Sequence, residues 1–140
     1  MRTRSRTSRA ADARAARAAR EAAAAAHAPY SGFRVGAVLE DREGRLHAGC
    51  NLESASIGLS LCAERAALGI ALSRGIHRFR RLFIYTPTAR PTRPCGACRD
   101  MLLRVAGDLP IVLLCDALPA RRTSLGRLLP AAPQRTGVRG

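Results

Sequence analysis

CAERAALGIALS, residues 62–73, puts apolar side chains at 63, 66, 67, 70 and 71 on one helical face, and Gly75 stands just beyond to close the helix. On its N-terminal side, Phe33 to Leu39 (FRVGAVL) reads as a strand. Asp41-Arg42-Glu43-Gly44 reads as a turn, and Arg45 to Cys50 as a returning strand. Gly36 and Gly49 inside those strands mark places where another element comes close. Earlier still, residues 10–27 are rich in Ala, the best helix former, with Pro29 to end the helix. On the C-terminal side, Arg81 to Tyr85 (RLFIY) and Pro110 to Cys115 (PIVLLC) are short apolar runs of buried-strand type. They flank a Thr/Pro loop over 86–94 and a helix from Cys98 to Val105; Ser124 to Leu129 reads as a last short helix. Strands alternating with short helices predict an α/β sandwich on a mixed sheet.

The same helix begins with chemistry. Cys62-Ala63-Glu64-Arg65 and Pro94-Cys95-Gly96-Ala97-Cys98-Arg99 supply three thiols and one carboxylate, each run placed where a loop opens into a helix. Free amide N–H groups and the positive end of the helix dipole favour thiolates there. Three thiolate ligands leave zinc a fourth, open position, and an open position separates a catalytic site from a closed structural one. Glu64, two residues from a ligand, is the candidate proton carrier. Three thiolates on a dication leave a negative site, so Arg65 is expected to donate to ligand sulfurs, with Arg99 a weaker candidate. The competing arrangement is a closed zinc site with Cys50 or Cys115 as fourth ligand. Neither belongs to a second C-x-x-C, and each ends an apolar run where Cys packs as a small hydrophobe. His27, His47 and His77 have no ligand spacing and read as surface residues or local hydrogen-bond formers.

Length and composition narrow the class. The 140 residues suit a single domain, and no apolar run approaches the roughly 20 residues that span a bilayer. The five cysteines lack a disulfide-framework spacing, which points to a reducing compartment, the cytoplasm. A net charge of +14, carried wholly by Arg among the basic residues, raises the question of nucleic acid. Its distribution argues against it: residues 1–27 and 121–140 each hold an excess of five positive charges, while the far longer middle holds four. The excess reads as solvated ends.

These motifs resemble the small, three-cysteine cytidine deaminases. The matching stretches are Tyr30-Ser31-Gly32-Phe33-Arg34-Val35-Gly36-Ala37, Gly49-Cys50-Asn51-Leu52-Glu53, the two cysteine runs and, faintly, Leu128-Leu129-Pro130, together covering roughly residues 12–130. The resemblance implies a three-layer α/β/α sandwich around a mixed sheet of about five strands, assembled as a homotetramer. It implies zinc on Cys62, Cys95 and Cys98, with Glu64 as proton shuttle. Asn51 and Glu53 would bond the ribose 3′-hydroxyl, Phe33 would pack on the base, and the backbone at Ala63 would read the base edge. The activity implied is zinc-dependent hydrolysis of cytidine and 2′-deoxycytidine to uridine and 2′-deoxyuridine, with release of ammonia, in pyrimidine salvage. The domain would run over 10–130, between a disordered Arg-rich arm (1–9) and a flexible tail (131–140). Ser54 and Ile57 stand where the family often carries Asn and an aromatic, Asp100 replaces a common Gln, and Pro133 stands near the place of a C-terminal aromatic. Two alternatives follow from the same residues: deamination of a modified cytosine nucleoside such as blasticidin S, or a basic nucleic-acid-binding module with a structural zinc.

Overall fold

A computed structural model describes residues 3–129. Ten elements follow in chain order: α1 (Arg6–Ala24), β1 (Gly36–Asp41), β2 (Leu46–Cys50), a single 3₁₀ turn (Ile57–Leu59), α2 (Ala63–Ser73), β3 (Phe79–Tyr85), α3 (Gly96–Ala106), β4 (Pro110–Leu114), β5 (Arg121–Ser124) and α4 (Leu125–Leu128). The strands form one sheet in the order β2-β1-β3-β4-β5. Only β3 and β4 run parallel, joined by the crossover through α3; the other neighbours are antiparallel.

Strict alternation along the central strands sorts the core into two layers. Val38, Phe83, Tyr85, Val112 and Leu114 face α1, where Ala15, Ala19 and Ala23 meet them. Ala37, Leu39, Leu82, Ile84, Ile111 and Leu113 face the opposite way, against α2 and α3 through Ala67, Leu68, Ala71, Cys98 and Leu102. This is the expected α/β/α sandwich. Its helices lie close to the sheet because both partners are small. A Cβ on Gly36 would sit 1.9 Å from the Ala19 carbonyl oxygen, and one on Gly49 would sit 2.4 Å from the Ala67 nitrogen. Gly49 therefore lets the first turns of α2 rest on β2, and that contact sets where Cys62 emerges.

Several boundaries differ from the sequence reading, each for a physical reason. Helix α1 starts at Arg6, inside the arm expected to be disordered, because the Ser5 hydroxyl caps it by accepting from the Ser8 N–H. It ends at Ala24, well before Pro29, because His27 leaves the helix to pair with Leu52. Strand β5 (Arg121–Ser124) completes the expected five strands by pairing with β4, although no apolar run marks it in sequence; its polar sequence (RRTS) suits an exposed sheet edge. His47 is buried rather than on the surface. Its Nδ1 lies 3.2 Å from the Arg74 guanidinium, which can only donate, so its Nε2–H donates to Asp41 at 2.9 Å. The tail expected over 131–140, with Pro133, and residue 130 of the Leu-Leu-Pro motif lie outside the described residues.

Candidate active site

Two helix starts meet at one end of the sheet. Cys62 is the N-cap of α2 and Cys95 the N-cap of α3, while Cys98 lies in the first turn of α3 with its amide donating to the Cys95 sulfur at 3.5 Å. The sulfurs of Cys62 and Cys95 are 3.6 Å apart, those of Cys95 and Cys98 3.2 Å, and all three lie within 4.8 Å of one another. Cys50 and Cys115 are outside the group, so among the described residues no fourth sulfur closes it.

The donor set fits zinc on its own chemistry. Burial pushes the Cys98 thiol well above its usual range, and the charge of Glu64 and the neighbouring sulfurs push it further. Cys95 goes the other way: burial raises it, but hydrogen bonds from the Cys98 amide, Cys98 and Cys62 outweigh that and lower it. Three sulfurs this close resist ionising together unless a cation sits among them, and tetrahedral thiolate sites are the habit of zinc. Arg65 Nη2 adds a donor 3.6 Å from the Cys62 sulfur and 3.4 Å from the Ser60 carbonyl, while its buried Nε has no protein partner. Arg99 has another task. Its guanidinium donates to the Pro94 carbonyl at 2.7 Å and the Leu128 carbonyl at 3.0 Å, tying the cysteine loop to α4 without touching sulfur.

Glu64 points into the same place from the first turn of α2 and is 5% exposed. Burial raises its carboxyl above the usual carboxylate range, against smaller lowering effects from its own amide and Arg65. A cavity of about 260 Å³ opens beside it, lined by Cys62, Ala63, Glu64 and Cys95 at the floor and by Phe33, Asn51 and Glu53 on one side. Phe33, Asn51, Glu53, Cys62, Ala63, Glu64 and Cys95 thus share one cavity; Cys98 is fully buried beside the Cys95 sulfur, and Arg65 contacts the Cys62 sulfur.

The pair Asn51 and Glu53 is more committed to the protein's own backbone than its spacing suggested. Asn51 Oδ1 accepts from the Val35 N–H and its Nδ2 donates to the Phe33 carbonyl, both at 2.8 Å. Glu53 Oε1 accepts from the Tyr30 and Ser31 amides at 3.1 Å, and Oε2 accepts from the Ser31 hydroxyl at 2.5 Å. One N–H and one Oδ1 lone pair on Asn51 and one lone pair on Glu53 remain; the Asn51 N–H and the Glu53 lone pair are a donor and an acceptor that together match a single hydroxyl.

Sequence reasoning passed over part of the other wall. Thr92 and Arg93 line the cavity, on the loop that reads in sequence only as a Thr/Pro connector. That loop is held by side chains: fully buried Thr86 meets Thr88 at 2.8 Å and Thr92 at 3.3 Å through hydroxyl groups. The repeated Thr of TPTARPT was the available signal.

Comparison with known proteins agrees with this geometry. The family model described as "Cytidine and deoxycytidylate deaminase zinc-binding region" matches residues 9–113. A cytidine deaminase of Sporosarcina psychrophila is 37% identical over 105 residues, spanning 74% of this chain and 77% of its own length. One of Mycobacterium tuberculosis is 43% identical over 104 residues, with 74% and 75% covered. Among solved structures, the cytidine deaminase of Burkholderia pseudomallei superposes with a TM-score of 0.82 at 41% identity, covering 86% of this chain and 97% of that one. The M. tuberculosis cytidine deaminase gives 0.70 at 41% identity, with 81% and 89% covered.

Proposed function

The chain belongs to the cytidine and deoxycytidylate deaminase zinc-binding family, and from that premise we propose that it hydrolyses cytidine and 2′-deoxycytidine to uridine and 2′-deoxyuridine, releasing ammonia. The observation that carries this reading is the convergence of three sulfurs and a buried carboxylate at two helix starts, beside a nucleoside-sized cavity that Cys62, Glu64 and Cys95 line. Cys62, Cys95 and Cys98 would hold zinc, which would lower the pKa of a water and so supply the nucleophile of the hydrolysis.

The chain's own residues do the rest. Glu64, its carboxyl raised by burial, takes the two protons of the attacking water in turn: it delivers one to N3 of the base and one to the amino group at C4, which departs as ammonia. The Ala63 backbone reads the base edge and Phe33 covers the ring. The remaining donor of Asn51 and acceptor of Glu53 take the 3′-hydroxyl of the sugar. Arg65 offsets the negative charge of the sulfurs.

The working form is a homotetramer. Supporting this, the apolar side chains of Tyr30, Ile57 and Leu59 are 66%, 89% and 75% exposed, the kind of surface that another copy of the chain can cover. Five free thiols and the absence, among the described residues, of any helix long and apolar enough to cross a membrane suit the cytoplasm and a role in pyrimidine salvage. The test is uridine and ammonia formation from cytidine, with zinc quantified in the same preparation. Turnover with about one zinc per chain supports the reading; zinc-loaded protein that leaves cytidine unchanged refutes it.

A further inference from the structure

We infer that Ser31 is a positioning residue for sugar recognition, its hydroxyl fixing which single acceptor of Glu53 is presented to the substrate. The inference rests on the proposed reading that the nucleoside sugar lies against Asn51 and Glu53.

The direction of the hydroxyl is settled by its partners. The Phe33 N–H, 2.9 Å away, can only donate, so Ser31 Oγ accepts there. Its one proton therefore goes to Glu53 Oε2 at 2.5 Å. Glu53 Oε1 is already filled by the Tyr30 and Ser31 amides. The result is a carboxylate with three donors and one open lone pair, beside an Asn51 with one open N–H. The same hydroxyl is the first cause holding the Glu53 carboxyl below its usual range, so the group stays an acceptor.

One side chain thus links the sugar side to the aromatic wall, because the residue whose amide it accepts is Phe33 itself. Without the hydroxyl, Glu53 Oε2 has two open acceptor sites, and only the two amide bonds to Oε1 orient the carboxylate. The Phe33 N–H also loses its partner.

The experiment compares kcat and KM for cytidine and for 3′-deoxycytidine on zinc-loaded protein, in the wild type, Ser31→Ala and Ser31→Thr. A hydroxyl bonded by a charged group contributes roughly 10- to 100-fold to kcat/KM, the preference expected of the wild type. Ser31→Ala should cut that preference to about threefold, chiefly by raising KM for cytidine, while Ser31→Thr keeps it. Should Ser31→Ala fail to fold, Ser31→Cys keeps the volume, donates poorly, and should lose the preference in the same way. Equal losses on both substrates, with the preference intact, would show a purely structural serine and overturn the inference. A wild type that turns over both nucleosides equally would overturn it together with the sugar-site premise. A wild type inactive on cytidine would sink the deaminase reading beneath both.

Discussion

In the proposed reaction Glu64 and the three cysteines divide the chemistry between them, and single substitutions separate their parts. Glu64→Gln keeps the shape of the side chain and leaves the sulfurs untouched, so the protein should hold its zinc while turnover falls roughly 10²- to 10⁴-fold. Metal content measured beside kcat checks both halves, and near wild-type turnover would contradict the assigned role. Cys95→Ala removes the sulfur that touches both of the others, so zinc and activity should be lost together. Arg65→Gln should be intermediate: its contact with the Cys62 sulfur predicts roughly 10- to 100-fold weaker zinc retention in a chelator competition, with the fold unchanged. Retention equal to wild type would reassign Arg65 to the Ser60 carbonyl alone.

At the scale of elements, the site is set by how tightly helices lie on the sheet. Gly49→Ala puts a methyl group 2.4 Å from the α2 backbone at Ala67, which is backbone and cannot swing aside. The helix must shift, carrying Cys62 and Glu64 with it; we expect about 2 kcal/mol of lost stability and a drop in turnover beyond what that loss explains. Urea unfolding and steady-state kinetics would show it. The β1–β2 hairpin offers a pH-dependent test. Burial raises the fully buried Asp41 carboxyl, but donation from His47, then from the Arg45 backbone and guanidinium, outweighs this and holds it far below its ordinary range. Because the folded value is depressed, its contribution is complete above the ordinary carboxylate pKa of about 3.9 and fades as pH falls through the lower folded value. Wild type should therefore exceed Asp41→Asn by roughly 2 kcal/mol from pH 7 to 5, and the gap should narrow below about pH 4. A gap that stays constant down to pH 3 would remove the carboxylate from the account.

The whole molecule is joined across its layers by a few charges as well as by its core. Asp12 of α1 accepts from Arg81 of β3 and Arg122 of β5, so the helix is pinned to two strands that local sequence does not connect. Zinc adds a second tie, between α2 and α3. Removing it with a chelator should lower the thermal midpoint by about 10 °C and restore it on readdition, since a ligand bound only by the folded state stabilises it by mass action. An unchanged midpoint would mean that the two helix starts are held by packing alone.

Much of this was legible along the chain because the signals are local. Residues 62–73 have helical periodicity, 81–85 and 110–115 are apolar strand runs, and Cys62, Glu64, Cys95 and Cys98 lie at spacings that one ion and one proton carrier require. What the chain alone determined was therefore the alternation of elements, the three-cysteine cluster and the family to which its motifs point. Tertiary structure decided the rest: that β5 forms on an edge, that His47 is buried against Asp41, that Arg99 serves a loop rather than a sulfur, and that the Ser31 hydroxyl donates to Glu53. Those facts depend on hydrogen-bond partners distant in sequence, and a partner brought close only by folding leaves no periodicity or motif to be read beforehand.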